Sequence, residues 1–240
     1  MNENPYAPSA SSLRGGSVPV FEGAVTTFRD LSGYSRKLSM LLLVGMGWRV
    51  VALVSALMQL NLISHPPYSV ATANANDLRE NLVSGVTVLL FIVTVIVFGR
   101  WIYLAQKNVL ELDARHLRAS PGWAVGSFFV PIVALWAPYQ AMRDLAKASR
   151  NPRRWELEDT SPAVIAWWIL WLIVEFMSNG ALQDSQRAHT LQQLQELSTV
   201  NIVTDVFSLP LYFLASHIVR RVWRDQSESY LQMNGALDGQ

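Results

Sequence analysis

Four stretches of this chain are each as long and as apolar as a lipid bilayer core requires, and no other feature restricts the fold so strongly. A hydrocarbon layer about 30 Å thick is crossed by roughly 20 apolar residues in a helix. Leu38 to Ile63, Ser84 to Ile102, Pro162 to Leu182 and Thr199 to Val219 meet that requirement. Inside lipid a backbone must satisfy its own hydrogen bonds, which leaves helices as the simplest solution for such runs. With 51% hydrophobic and only 15% charged residues, gathered into blocks, the composition is not that of a soluble domain. The fold class expected is an all-α, polytopic membrane helix bundle.

A fifth stretch, Gly122 to Ala141, is apolar but carries Pro131 and Pro138. Each proline removes a helical hydrogen bond and biases the residue before it away from helical geometry. The distribution of basic residues bears on its path. If this stretch crosses the bilayer with the N-terminus inside, nine Lys and Arg flank the membrane on each side; if it re-enters, 16 fall on the cytoplasmic side and two outside. The positive-inside rule selects the second arrangement. The expectation is therefore four transmembrane helices plus one Pro-broken re-entrant or interfacial segment, with both termini cytoplasmic. Gly122 and Gly126, at small-xxx-small spacing, are expected to allow close approach to a neighbour. The domain plan is a flexible cytoplasmic tail over 1–36, a membrane bundle over 37–224 and a cytoplasmic C-terminal tail over 225–240.

Other classes fall away. Basic residues sit in short clusters beside apolar blocks, not on one extended face, which argues against a nucleic-acid partner. The absence of cysteine excludes disulfides and thiolate metal sites. The N-terminal residues lack the basic start and apolar core of a cleaved signal peptide. His65, His116, His189 and His217 are scattered without metal-ligand spacing, and no phosphate-binding loop, nucleophile elbow or His-Glu-x-x-His pair occurs. No catalytic residue, metal or cofactor is assigned.

Charges inside the spans are the first candidate site. Arg49 and Glu175 lie roughly 18 and 20 Å from the cytoplasmic face, and Asp205 roughly 9 Å from the outer one, at 1.5 Å per residue. All three therefore share a depth. Buried membrane charges tend to pair or to line a pathway, so Arg49 is expected to pair with Glu175, Asp205 or both. Gln59, Asn61, Asn179 and Thr204 are further polar lining. Tyr139 and Gln140, beside Trp136, suit the headgroup layer at the cytoplasmic end of the broken segment. The basic run Arg143, Lys147, Arg150, Arg153 and Arg154 follows.

Three motifs carry a resemblance. Arg100-Trp-Ile-Tyr-Leu-Ala-Gln-Lys-Asn108 sets Trp101 and Asn108 one heptad apart after a span. Ser120-Pro-Gly-Trp-Ala-Val-Gly126 holds Pro121, Gly122 and Trp123. Val130-Pro131 and Ala137-Pro-Tyr-Gln-Ala-Met-Arg143 hold Pro131, Pro138, Tyr139 and Gln140. Together with Trp167-Trp-Ile-Leu-Trp171, these boxes resemble the bacterial membrane family known only as domain of unknown function 4328. They depart from it near Ala146, where the family often carries a Trp. The resemblance implies a multi-pass protein of the bacterial inner membrane and brings no established activity. The function expected is that of a non-enzymatic membrane module binding membrane lipids or a protein partner, with a homo-oligomer as one form of partner. A small channel or transporter built on the broken segment and the Arg49/Glu175/Asp205 depth is an alternative. An intramembrane lipid enzyme using Glu175 with Arg49 is another.

Overall fold

The computed structural model describes residues 28–185 and 190–235, and these are helical with no strand among them. The helices are α1 (Ser32–Ser64), α2 (Val70–Glu111), α3 (Pro121–Gly126), α4 (Ala137–Arg150), α5 (Pro162–Ser185) and α6 (Leu191–Gly235). Four of them, α1, α2, α5 and α6, are long and apolar enough to cross a membrane. At 33, 42 and 45 residues, α1, α2 and α6 run about 50, 63 and 67 Å, so each projects well beyond a core of about 30 Å.

The packing follows from where the small residues fall. α1 lies along α6, α2 flanks α1, and α5 flanks α6. The buried stripe of α1 is largely small: Ser35, Ser39, Gly45, Ala52, Ser55 and Ala56. α6, which packs along it, also buries small residues: Ser198, Thr204, Ser208, Ala215 and Ser216. Lipid chains are as apolar as leucine, so hydrophobicity does not draw such helices together; close backbone approach does. Gly45 is the tightest point, since a Cβ there would sit 2.7 Å from the Tyr212 ring. The large apolar side chains turn outward, as at Met40, Val44, Val54 and Met58 of α1. The most apolar stretch of α2, with mean hydropathy 2.7, buries none of its residues within the fold.

The dense core sits at one end of the bundle. Trp101, Ile102 and Val109 of α2, Met142 and Leu145 of α4, Trp167 and Trp168 of α5, and Val219 and Val222 of α6 converge there. α4 fills the space between α2, α5 and α6. Phe98 joins α2 to α5 through Trp167, with ring centroids 6.2 Å apart, and Trp168 stacks on Trp171 at 4.7 Å.

Two ends differ from the sequence plan. α6 does not stop near 224 but continues to Gly235, so the expected tail boundary falls inside a helix. The buried positions Ala215, Val219, Val222, Gln226 and Ser229 keep helical spacing across that boundary. At the other end, residues 1–27 lie outside the described residues. Phe28 nevertheless stacks on Tyr230 at 4.3 Å, and Leu31 is buried, so the segment leading into α1 is part of the core.

Candidate functional site

The Pro-broken segment is built as a hairpin. α2 is capped at Leu112, with the amide of Asp113 donating to Leu110 O and that of Ala114 to Val109 O, a left-handed cap in which Asp113 has φ 67°. Ser120 then caps α3, accepting from the amide of Trp123 at 3.2 Å, with Pro121 at the first turn where no donor is needed. The chain leaves α3 through a 3-10 turn over Ser127–Phe129, is extended at Val130 just before Pro131, and passes Ile132 at φ 65°. A second short turn, Val133–Leu135, leads into α4, where Pro138 is buried near the N-terminus. Positive φ is unfavourable for a β-branched residue and persists only where the surroundings impose it. In this turn the amides of Val133, Ala134 and Leu135 donate to Pro131 O, Val130 O and Ile132 O, so three of its donors are satisfied internally.

The two arms of the hairpin return to one level. Arg118, before α3, faces Asp144 of α4 with Nε 3.8 Å from Oδ2, and Trp155 Nε1 donates to Arg115 O at 2.9 Å. Between the arms, Phe128 packs edge-on against Trp171 of α5, and Tyr139 tilts against Trp168 at 6.3 Å. Gln140 is half-buried. The glycines expected to admit this segment do not do so: a Cβ on Gly122 would touch nothing, and one on Gly126 only the Trp123 ring at 4.0 Å. The close approach is made instead at Gly99 of α2, where a Cβ would lie 3.2 Å from Val125. The small residue sits on the receiving helix, not on the inserted one.

Trp101 and Asn108 are joints of the core. Trp101 is fully buried and its indole donates to Ser35 Oγ at 2.9 Å, tying α2 to α1. Asn108 pairs its side-chain amide with the backbone of Arg29, donating to the carbonyl at 2.8 Å and accepting from the amide at 3.2 Å. Its second donor goes to Gln226 Oε1 at 3.2 Å. Gln226 in turn donates to Ala105 O and Ser149 Oγ, and Ser229 donates to Ser149 O at 2.9 Å. Gln226, Ser149 and Ser229 were invisible as partners because two of them stand in what reads as a polar tail. The buried spacing continuing from Val219 was the signal.

Among the membrane-depth charges, Arg49 of α1 pairs with Asp205 of α6 at 2.9 Å. Glu175 does not join them. It is exposed on α5 and accepts from Asn179, one turn away on the same helix, at 3.0 Å. The expected lining is dispersed as well: Thr204 donates to Val200 O within α6, and Asn61 is exposed. Residues before the apolar run Ser84 to Ile102 supply the neighbours instead. Because α2 starts at Val70, Arg79 and Glu80 stand on a helix beside α1. Arg79 Nε donates to Ser55 Oγ at 3.0 Å, Ser55 donates to Glu80 Oε1 at 2.6 Å, and Arg79 reaches Asn76 Oδ1 at 2.6 Å. Glu80 lies within electrostatic range of Asp205. The result is a balanced set of two cations and two carboxylates linking α1, α2 and α6.

No curated protein and no solved structure matches this chain. A family model described as a domain of unknown function (DUF4328) matches residues 66–224.

Proposed function

We propose, for a chain that belongs to the DUF4328 family, the role of a non-enzymatic membrane module that engages lipid through a re-entrant hairpin entering from the cytoplasmic side of the bacterial inner membrane. The observation that supports this is the doubled-back segment with an apolar tip. Its arms meet at Arg118 and Asp144, while Trp123, Phe129, Ile132, Leu135 and Trp136 are all more than two-fifths exposed. An exposed patch of this kind marks a surface covered by something apolar, and the internal hydrogen bonding of its turn suits membrane depth. With the hairpin returning to its own side, the basic run after it stands with the other cytoplasmic positives, in keeping with the positive-inside rule. Both termini are then cytoplasmic. The acid/base pair that lipid chemistry would need, Glu175 with Arg49, is not assembled, since each has another partner.

The test is residue accessibility in this cysteine-free chain. Leu157 is 81% exposed just beyond α4, and Gln192 and Gln232 are exposed near the two ends of α6. Single substitutions Leu157→Cys, Gln192→Cys and Gln232→Cys are labelled with an impermeant thiol reagent in intact and opened cells. Protection of 157 and 232 with labelling of 192 is the expected result. Labelling of 157 from outside would mean that the segment spans, and would overturn the reading.

A second reading, a small channel or transporter, draws on the Arg49–Asp205 pair and the Arg79–Glu80 network beside it. Ion flux in liposomes containing the purified chain, abolished in Asp205→Asn, would favour it.

A further inference from the structure

At the base of the hairpin, α4, the loop over 112–120 and the turn Pro152–Leu157 border an open, polar pocket of about 350 Å³, within the range of about 300–1,000 Å³ typical of small-ligand sites. Arg143 and Lys147 enter it from α4, His116 and Arg118 from the loop, and Trp155 and Glu156 from the turn. Its chemistry is set by the buried Asp144. Oδ1 of Asp144 accepts from Arg143 Nε and Nη2 at 3.0 and 2.8 Å, which spends one carboxylate on one guanidinium and fixes the latter in place. Arg118 approaches only to 3.8 Å, and Lys147 has no acidic group within ion-pair distance among the described residues. Oδ2 of Asp144 is buried and has no hydrogen-bond partner. His116 is held at φ 59° on the rim, outside the range most residues adopt. The pocket thus sets Arg118, Arg143 and Lys147 against Asp144 and Glu156, an excess of one positive charge, beside one unfilled acceptor.

Its position identifies the source of a ligand. Arg143 stacks over Tyr139, 5.8 Å from the ring centroid, and Tyr139 meets the Trp168 cluster. Arg143 and Lys147 stand one and two turns past Tyr139, about 6 and 12 Å along the helix. Headgroups occupy about 5–7 Å on each side of the acyl core, so an aromatic belt at Tyr139 sets Arg143 in the phosphate layer and Lys147 one turn outside it, from where its long side chain reaches back. We infer that the pocket binds the phosphodiester of an anionic lipid through Arg118, Arg143 and Lys147, with a hydroxyl of the same headgroup donating to Asp144 Oδ2. Phosphatidylglycerol has that chemistry. The inference rests on the hairpin reading only in placing the pocket at the bilayer surface.

The test uses the full chain reconstituted in phosphatidylcholine vesicles with a tracer of acyl-chain-labelled, dansylated phosphatidylglycerol, read by energy transfer from tryptophan. Losing two charge-assisted hydrogen bonds to the lipid phosphate should weaken the preference for phosphatidylglycerol by about 100-fold or more in Arg118→Gln/Lys147→Gln. Arg36→Gln/Arg224→Gln removes the same charge from exposed sites away from the pocket and should change it far less. Equal losses in the two variants would show diffuse attraction and overturn the site. Unlabelled phosphatidylglycerol should displace the tracer several-fold better than phosphatidylethanol, which has the same phosphodiester without hydroxyls; equal displacement would remove the role given to Asp144. Displacement by soluble glycerol phosphate would assign the phosphate pocket to a dissolved ligand and overturn the lipid source. Accessibility of position 157 is scored separately, so a pocket that binds in a segment that spans is told apart from a hairpin without a pocket.

Discussion

Removing Arg49 should produce a loss of stability that acid repairs. At 2.9 Å between Nη1 and Oδ1, an effective dielectric constant of about 20 gives a gross attraction of about 6 kcal/mol, most of it offset by the desolvation of both groups. Arg49→Leu leaves the Asp205 side chain 8% exposed without its cation. That carboxylate has a way out, because protonating an ordinary aspartate of pKa about 3.9 at pH 7 costs about 4 kcal/mol. The cost of Arg49→Leu at pH 7 is therefore capped near 4 kcal/mol and should shrink by about 1.4 kcal/mol for each unit the pH is lowered toward 4. Asp205→Leu has no such relief, since a guanidinium stays charged; it should cost about 3–5 kcal/mol with little pH dependence. The double substitution leaves no unpaired charge and should recover most of the loss. For a chain of this size about 2–4 °C of melting temperature corresponds to each kcal/mol, so thermal unfolding in detergent at pH 5 and pH 7 resolves the series. Losses that add in the double variant, or that ignore pH, would mean that the pair carries no coupling and that the reasoning fails.

Other outcomes follow from single contacts. Asn108→Ala leaves the Arg29 backbone and Gln226 Oε1 without partners in the core, at about 1–3 kcal/mol for each buried group left unpaired, and should expose the segment before α1 to limited proteolysis. Gly45→Ala should lower the melting temperature sharply because its Cβ would meet Tyr212 at 2.7 Å, whereas Gly47→Ala, with nothing within 4 Å, should be neutral or slightly stabilising. By the same argument Gly99→Ala should loosen the hairpin, read as greater labelling within it, while Gly122→Ala should not. The hydroxyl of Ser32, and then its amide, donate to Asp30 and hold that carboxyl below its ordinary value of 3.8. A depressed folded pKa contributes stability above the unfolded value and loses it as pH falls through the folded one. The acid limb of a melting curve should therefore be less steep in Asp30→Ala than in the parent chain.

The spans were legible because their signal is length and apolarity, which need no knowledge of neighbours. The break in the fifth stretch was legible for a related reason: Pro131 and Pro138 forbid an unbroken helix whatever surrounds them. What surrounds a residue was harder to read. Arg49, Glu175 and Asp205 share a depth, but depth is one coordinate, and rotation about each helix axis decides which side chains meet. Glu175 turns away from α1, while Glu80, about one turn outside its apolar run, turns toward it. The same limit hid the Gly99 contact, since a small residue on the receiving helix has no pattern of its own. Gln226 and Ser229 were missed because polarity reads as solvent. Here they are the filling of a buried joint, and only the regular spacing beyond Val222 marked them as such.

Asn108 gives the domain an order of assembly. Its one amide binds Arg29, translated long before it, and Gln226, translated long after. The four long helices can enter the bilayer one after another as they leave the ribosome, yet the knot that locks them waits for the final turns of α6. Until those turns arrive, Asn108 holds only the backbone of Arg29, and Phe28 has no Tyr230 to stack on. A chain released short of Gln226 would be fully inserted and still unfastened, and quality control would meet it as a membrane protein whose defect lies entirely outside the membrane.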